Sequence, residues 1–149
     1  LNRGIFTRLQ EKVKNSKRNG FPFSILFISL KGFKARNNNL PKHEMDAILR
    51  GVADCFKEDI RAGVDIAARM GEQDFLIAMP GSPLKKAGQI AAQIKNDISE
   101  RVKAPGVVVD AAVGVAEYST PSEESAASTN EEDELISEHD LVFFSKSAQ

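Results

Sequence analysis

Apolar residues recur at helical spacing near the start of the chain, where Phe6, Leu9 and Val13 share one face. Asn2 is placed to cap that helix, and Gly20 stands where a terminating glycine belongs. The next stretch, "FPFSILFISL", is apolar on both faces, the pattern of a central strand covered from each side. A polar connection rich in turn residues, "KGFKARNNNLPK", then leads to a second helical stripe of Met45, Ile48, Leu49, Val52 and Phe56. Pro41 suits the first turn of that helix.

Residues 64 to 79 predict a β-hairpin whose tip carries Gly71, Glu72, Gln73 and Asp74, with Phe75 placed to anchor it. "PGSP" ends the hairpin, and Leu84, Ala87, Ala91, Ile94 and Ile98 form a third helical stripe. Valine-rich "GVVVDAAVGVAEY" predicts another buried strand. Residues 119–134 are acidic and poor in apolar side chains, which predicts a mobile loop, and "ELISEHDLVFFSK" predicts a short closing helix. The order of elements defines an α/β (α+β) domain: a mostly antiparallel sheet of about five strands flanked by helices. Residues 1–149 are expected to form one such domain.

Composition narrows the functional classes. Twenty basic and 21 acidic side chains among 149 residues leave a net charge of −1. That balance, without a basic stripe carrying aromatics, argues against nucleic acid or an anionic membrane as an obligate partner. Cys55 is the only cysteine, so no disulfide framework exists and a reducing cytoplasm suits the chain. His43 and His139 are far apart and neither has a second ligand at metal spacing. No apolar run reaches the roughly 18 residues that a spanning helix needs. The abrupt start, "LNRGIF", predicts a domain excised from a larger regulator.

Four stretches carry a family resemblance. "LNRGIF" is similar to the end of "LTGLxNRxxF", and "FSILFISLKGFKARNNN" to "hhhhDhDxFKxhND". "ARMGEQDFLIAMPG" matches "ARxGGDEFhhhhPx", and "DAAVGVAEY" matches "hxhSIGVAxY". Together, in this order, they resemble the GGDEF domain, the diguanylate cyclase fold that condenses two GTP molecules into cyclic di-GMP. Fold does not carry activity with it, so the site residues decide.

In that family two carboxylates hold magnesium, and the resemblance places Ser29 and Gln73 at their positions. Lys31 stands at the second Asp of the family's DxD. Magnesium demands oxygen ligands in near-octahedral geometry, usually with one or two carboxylates among them. Two neutral replacements remove its anionic anchor and the activation of the attacking hydroxyl. Glu72 replaces a signature glycine that lets phosphate approach the backbone, and its charge faces the triphosphate. Two like charges about 4 Å apart repel by roughly 1 kcal/mol in water and about 4 at an effective dielectric of 20. Asp74 is a shortened form of the family's fourth-position Glu. The resemblance therefore implies no catalytic residues and no metal in this chain.

Other positions are better kept. The resemblance makes Asn37 and Asp46, nine apart, candidates for reading a guanine edge, and Lys146 for binding phosphate. A turn asparagine, a solvated helical aspartate and a helix-end lysine account for the same three residues. At the family's product-inhibition site, RxxD, Asp65 is present but Ala62 replaces the Arg, with Arg61 one position early. A one-residue slip in a strand would turn Arg61 to the opposite face unless a bulge restores it. Gln93 stands where the resemblance expects a supporting Arg. Arginine forks are what grip phosphates and guanines, so the remnant is weakened twice over.

The expectation is a catalytically inactive GGDEF-like domain serving as a signalling or protein-interaction module of a bacterial regulator. Its partners are other domains of the same polypeptide or a signalling protein, and no cofactor is required. The alternative is an inactive domain that still binds GTP, with magnesium, or cyclic di-GMP. A third, active cyclase with a non-standard metal site stands behind both.

Overall fold

The first amphipathic stretch folds as helix α1 (Arg3–Asn19), burying Leu9, Val13 and Ser16. The computed structural model describes residues 3–32 and 40–118, so Asn2, the acidic stretch 119–134 and the expected closing helix lie outside it. Gly20 ends α1 at φ 71°, and the amide of Phe21 reaches back 3.0 Å to the Ser16 carbonyl. This is the left-handed exit for which glycine is preferred.

Strand β1 (Phe23–Lys31) is buried along nearly its whole length, as its two-sided apolar pattern requires. Helix α2 (Lys42–Asp59) follows, with Pro41 as its N-cap rather than in its first turn. The hairpin is β2 (Ile66–Arg69) and β3 (Asp74–Pro80). Helix α3 (Leu84–Arg101) buries Ala87, Ala91, Ile94 and Ile98, while Leu84, at its first residue, is 49% exposed and lies off the buried stripe.

The valine-rich segment divides. Lys103–Ala104 (β4) and Val107–Val108 (β5) pair as a separate two-stranded ribbon, and β6 (Asp110–Tyr118) joins the main sheet. That sheet is four-stranded and antiparallel in every pairing, in the order β2-β3-β1-β6. Gly32 lies behind the break: its φ is 101°, and an added Cβ would sit 2.0 Å from the Val108 carbonyl oxygen. Only glycine lets the end of β1 pass that close to β5.

Alternation along β1 sends its side chains to two cores. Leu26, Ile28 and Leu30 pack with Ile48, Val52 and Phe56 of α2 and with Ile94 and Ile98 of α3. Phe23 and Ile25 pack with Leu9 and Val13 of α1 and with Leu76 and Ala78 of β3. The sheet is thus sandwiched between α2 and α3 on one face and α1 on the other. Among the described residues no helix is long and apolar enough to cross a membrane.

Candidate functional site

The hairpin tip sits at one end of the two central strands. Phe75 is buried and meets Phe56 of α2 edge-on, with ring centroids 5.3 Å apart, so the base of the tip is anchored as its sequence predicts. The amides of Met70 and Gly71 both reach the Asp74 carbonyl, at 2.7 and 3.3 Å. Arg69 closes the turn from outside: its Nε donates to the Gly71 carbonyl and its Nη2 to that of Glu72, both at 2.9 Å. Gly71 is not in the left-handed region, and an added Cβ would make only ordinary contact, 3.5 Å from Asp74 Oδ2. The tip therefore needs no glycine for its backbone shape, and Glu72 is accommodated as an exposed residue.

The positions tied to metal by resemblance do converge. Ser29 is the register partner of Asp74, and the amide of Leu30 donates to the Gln73 carbonyl at 2.8 Å. Ser29 and Asp74 are both partly buried, and strand alternation puts them on the α1 face. Their donor set is one hydroxyl, one amide and one carboxylate. Among the described residues no group of three or more His, Cys, Asp or Glu could hold a metal ion. These residues do not fit magnesium, which wants a denser array of anionic oxygens. Lys31 pairs in register with Asp110 on β6, away from the hairpin strand. The Asp110 carboxyl is held below its usual range, first by the Ala111 amide and then by Lys95 and Lys31.

At the residues that the resemblance ties to an inhibitory motif, the structure differs from the strand-slip expectation. Residues 61–65 form a turn ahead of β2, so a slip of one position does not reverse the direction of the Arg61 side chain. Arg61 and Asp65 instead meet. Arg61 Nη2 lies 2.6 Å from Asp65 Oδ1 and its Nε 3.1 Å from Oδ2, while the Arg61 amide donates to Oδ2 at 2.8 Å. The same Nη2 donates to the Pro80 carbonyl at 2.8 Å and to Ser82 Oγ at 3.2 Å. Ser82 is itself buried, and its carbonyl accepts the Ser24 hydroxyl at 2.6 Å. The arginine fork is thus engaged inside the protein, tying the α2–β2 turn to the end of β3.

Asp46 is exposed on α2, and Asn37 and Lys146 lie outside the described residues. Gln93 is exposed on α3 and donates to Asp97 Oδ1 at 3.1 Å.

Several polar residues of the fold are not singled out by the sequence reading. Arg69 is one, although an arginine two residues before a turn glycine is visible in "ARMG". Glu117 is another: its Oε2 accepts the Leu84 amide at the start of α3, a cap supplied from 33 residues away. No local pattern signals that partner.

An α+β fold with this strand order and a hairpin tip beside the central strand belongs to the nucleotidyl cyclase type. The family model for "Diguanylate cyclase, GGDEF domain" matches residues 1–138, and the chain belongs to that family. It is 29% identical over 113 residues, 74% of the chain, to the bifunctional diguanylate cyclase/cyclic di-GMP phosphodiesterase MucR of Pseudomonas aeruginosa, of which it covers 16%. The chain spans 16 to 26% of the length of the curated relatives considered. Among solved structures, the GGDEF domain of FimX from Pseudomonas aeruginosa aligns with a TM-score of 0.74 at 14% identity, over 97% of this chain and 83% of that one. The diguanylate cyclase SiaD of the same organism, in complex with its activator SiaC, aligns at 0.70 and 22% identity, over 98% and 53%. The chain is a GGDEF domain related to proteins of cyclic di-GMP signalling.

Proposed function

We propose that this chain is a catalytically inactive GGDEF domain, used as a signalling and protein-interaction module within a larger regulator. One observation carries the reading. At the register pair Ser29 and Asp74, beside Gln73, a single carboxylate stands where cyclase chemistry needs an array able to hold magnesium. Glu72 adds an exposed negative charge where a triphosphate would approach. The Arg61 fork is spent on Asp65, Pro80 and Ser82, which leaves the old inhibitory site without its free arginine. SiaD, bound to its activator, is a precedent for a relative that works through a partner. Cys55, free and buried, suits a reducing cytoplasm.

Incubation with GTP and Mg²⁺ or Mn²⁺ is the direct test, and no cyclic dinucleotide is expected. Product that disappears on Asp74→Ala would overturn the reading. Deleting the domain from its full-length protein should abolish partner binding or oligomerisation, and unchanged assembly counts against a module role. A second reading, a domain that still binds GTP or cyclic di-GMP, draws on Asp46, which is exposed and open to a base. Calorimetric titration with each nucleotide separates the two: heat at sub-millimolar concentration supports the sensor.

A further inference from the structure

Three exposed apolar side chains gather at the end of the sheet opposite the hairpin tip. Phe23 pairs in register with both Pro80 and Tyr118, and Ile66 with Ala78. The beginnings of β1 and β2 and the ends of β3 and β6 therefore lie side by side there. Phe21 precedes β1, Val64 precedes β2, and Leu84 follows β3 as the first residue of α3. Bonds across this end hold the segments together. The Gly81 amide reaches the Pro22 carbonyl at 2.8 Å, Arg61 donates to Pro80 and Ser82, and Glu117 takes the Leu84 amide. Phe21 is 55% exposed, Leu84 49% and Val64 40%, and Val108 is the only other large apolar side chain so open among the described residues. Single exposed apolar groups are ordinary, but three across four strand ends, about 14 Å, make a patch.

The rim of this patch is cationic. Arg18 is exposed in the last turn of α1, and Lys85 and Lys86 are exposed in the first turn of α3. A helix N-terminus disfavours cations, yet α3 carries two there and no acidic residue in that turn. Glu117 reaches the Leu84 amide, and neither lysine makes an ion pair among the described residues. Asp65 is buried against Arg61 and offers them nothing. Lysines held against the helix dipole beside an apolar patch are complementary to a ligand that brings both carboxylates and apolar groups.

We propose that this end of the sheet docks an acidic amphipathic helix of a partner protein, with its apolar stripe on Phe21, Val64 and Leu84 and its carboxylates against Arg18, Lys85 and Lys86. This assignment rests on the interaction-module reading above and gives it a surface and a partner chemistry. Apolar residues at i, i+4 and i+7 of a helix run about 10 Å along its axis, a length that the patch accommodates. A bilayer fits less well. An anionic membrane responds to the charge of the whole chain, which is −1, whereas a docked segment responds to the cations within about 8 Å of it.

Fluorescence anisotropy of the full chain with a labelled helical peptide tests this, the peptide carrying leucine at i, i+4, i+7 and i+11 and glutamate on its flanks. Binding is expected at about 0.15 M salt, weakened roughly tenfold by Phe21→Ser with Leu84→Ser. Lys85→Glu with Lys86→Glu should weaken it roughly fivefold, and it decides alone if the first pair does not fold. A lysine-flanked peptide should not bind. No binding, equal binding of the lysine-flanked peptide, or binding that neither pair weakens overturns the surface. Three other results overturn the partner. Binding to anionic vesicles through the same residues assigns the patch to a membrane. Self-association that Phe21→Ser with Leu84→Ser abolishes assigns it to a second copy. A rise of roughly tenfold in peptide affinity, once Glu131, Glu132, Asp133 and Glu134 are changed to amides, assigns it to the chain's own acidic stretch. If the peptide fails while deleting the domain still abolishes assembly of the full-length protein, the surface falls and the module reading stands.

Discussion

Arg61 grips Asp65 through two nitrogens, at 2.6 and 3.1 Å, four residues apart in a turn rather than across a ligand. The Asp65 side chain is fully buried and that of Arg61 is 49% exposed. The pair seals one carboxylate inside the protein and fixes the entry to β2. Arg61→Ala strands that carboxylate and is expected to cost about 2–3 kcal/mol in urea unfolding. Adding Asp65→Ala should cost less than the two single changes summed, because the stranded charge disappears.

Gly32 and Gly20 both have positive φ but differ in what surrounds them. Gly32→Ala meets the Val108 carbonyl and is expected to cost about 3 kcal/mol or more. Gly20→Ala meets nothing within 4 Å and should cost only about 1 kcal/mol. Equal urea midpoints for the two variants would refute the close approach of β1 to β5.

Arg69 restrains the hairpin tip through two carbonyl groups that no strand pairing holds. In Arg69→Ala, amide exchange at Gly71 and Gln73 is expected to speed up by roughly tenfold. Global stability should fall by only about 1 kcal/mol, since the two bonds are exposed. Unchanged exchange at the tip would show that the turn holds itself.

Rebuilding the donor set tests whether the residues at these positions decide metal binding. The combined change Ser29→Asp, Glu72→Gly and Gln73→Asp puts three carboxylates, with Asp74, around the tip. Without metal this variant should be destabilised by like-charge repulsion. Millimolar Mg²⁺ is expected to raise its thermal midpoint while leaving that of the unaltered chain in place. Equal responses would mean that the replaced residues are not what decides metal binding.

Glu117 and the Leu84 amide make a cap across sequence. Glu117→Ala removes the acceptor and a negative charge at the start of α3, and should cost about 1 kcal/mol. Glu117→Gln, which keeps the acceptor, should lose about half of that.

Much of the architecture is legible in local pattern. The two-sided apolar run of β1, the stripe of α2, that of α3 apart from Leu84, and the placement of Phe75 appear where periodicity puts them. The valine run after Gly106 is less legible. Val107 and Val109 are buried while Val108 is 80% exposed, yet the chain leaves the ribbon after Val108 and enters the main sheet at Asp110. Alternation continues through such a break, so periodicity alone does not mark it.

By itself the sequence determined the three helices, the central strand and the hairpin, their order, and the residues that the family resemblance sets at the tip. Those follow from burial period and residue chemistry, which act over a few positions at a time. Only the tertiary structure decided which charges meet: Arg61 with Asp65 and Ser82, Arg101 with Glu58, and Glu117 with the start of α3. Helix rotation and strand register place those groups, and both are set by how the two cores pack against the sheet. A one-residue slip read from sequence suggested an arginine turned away. Packing delivered that arginine to its aspartate instead.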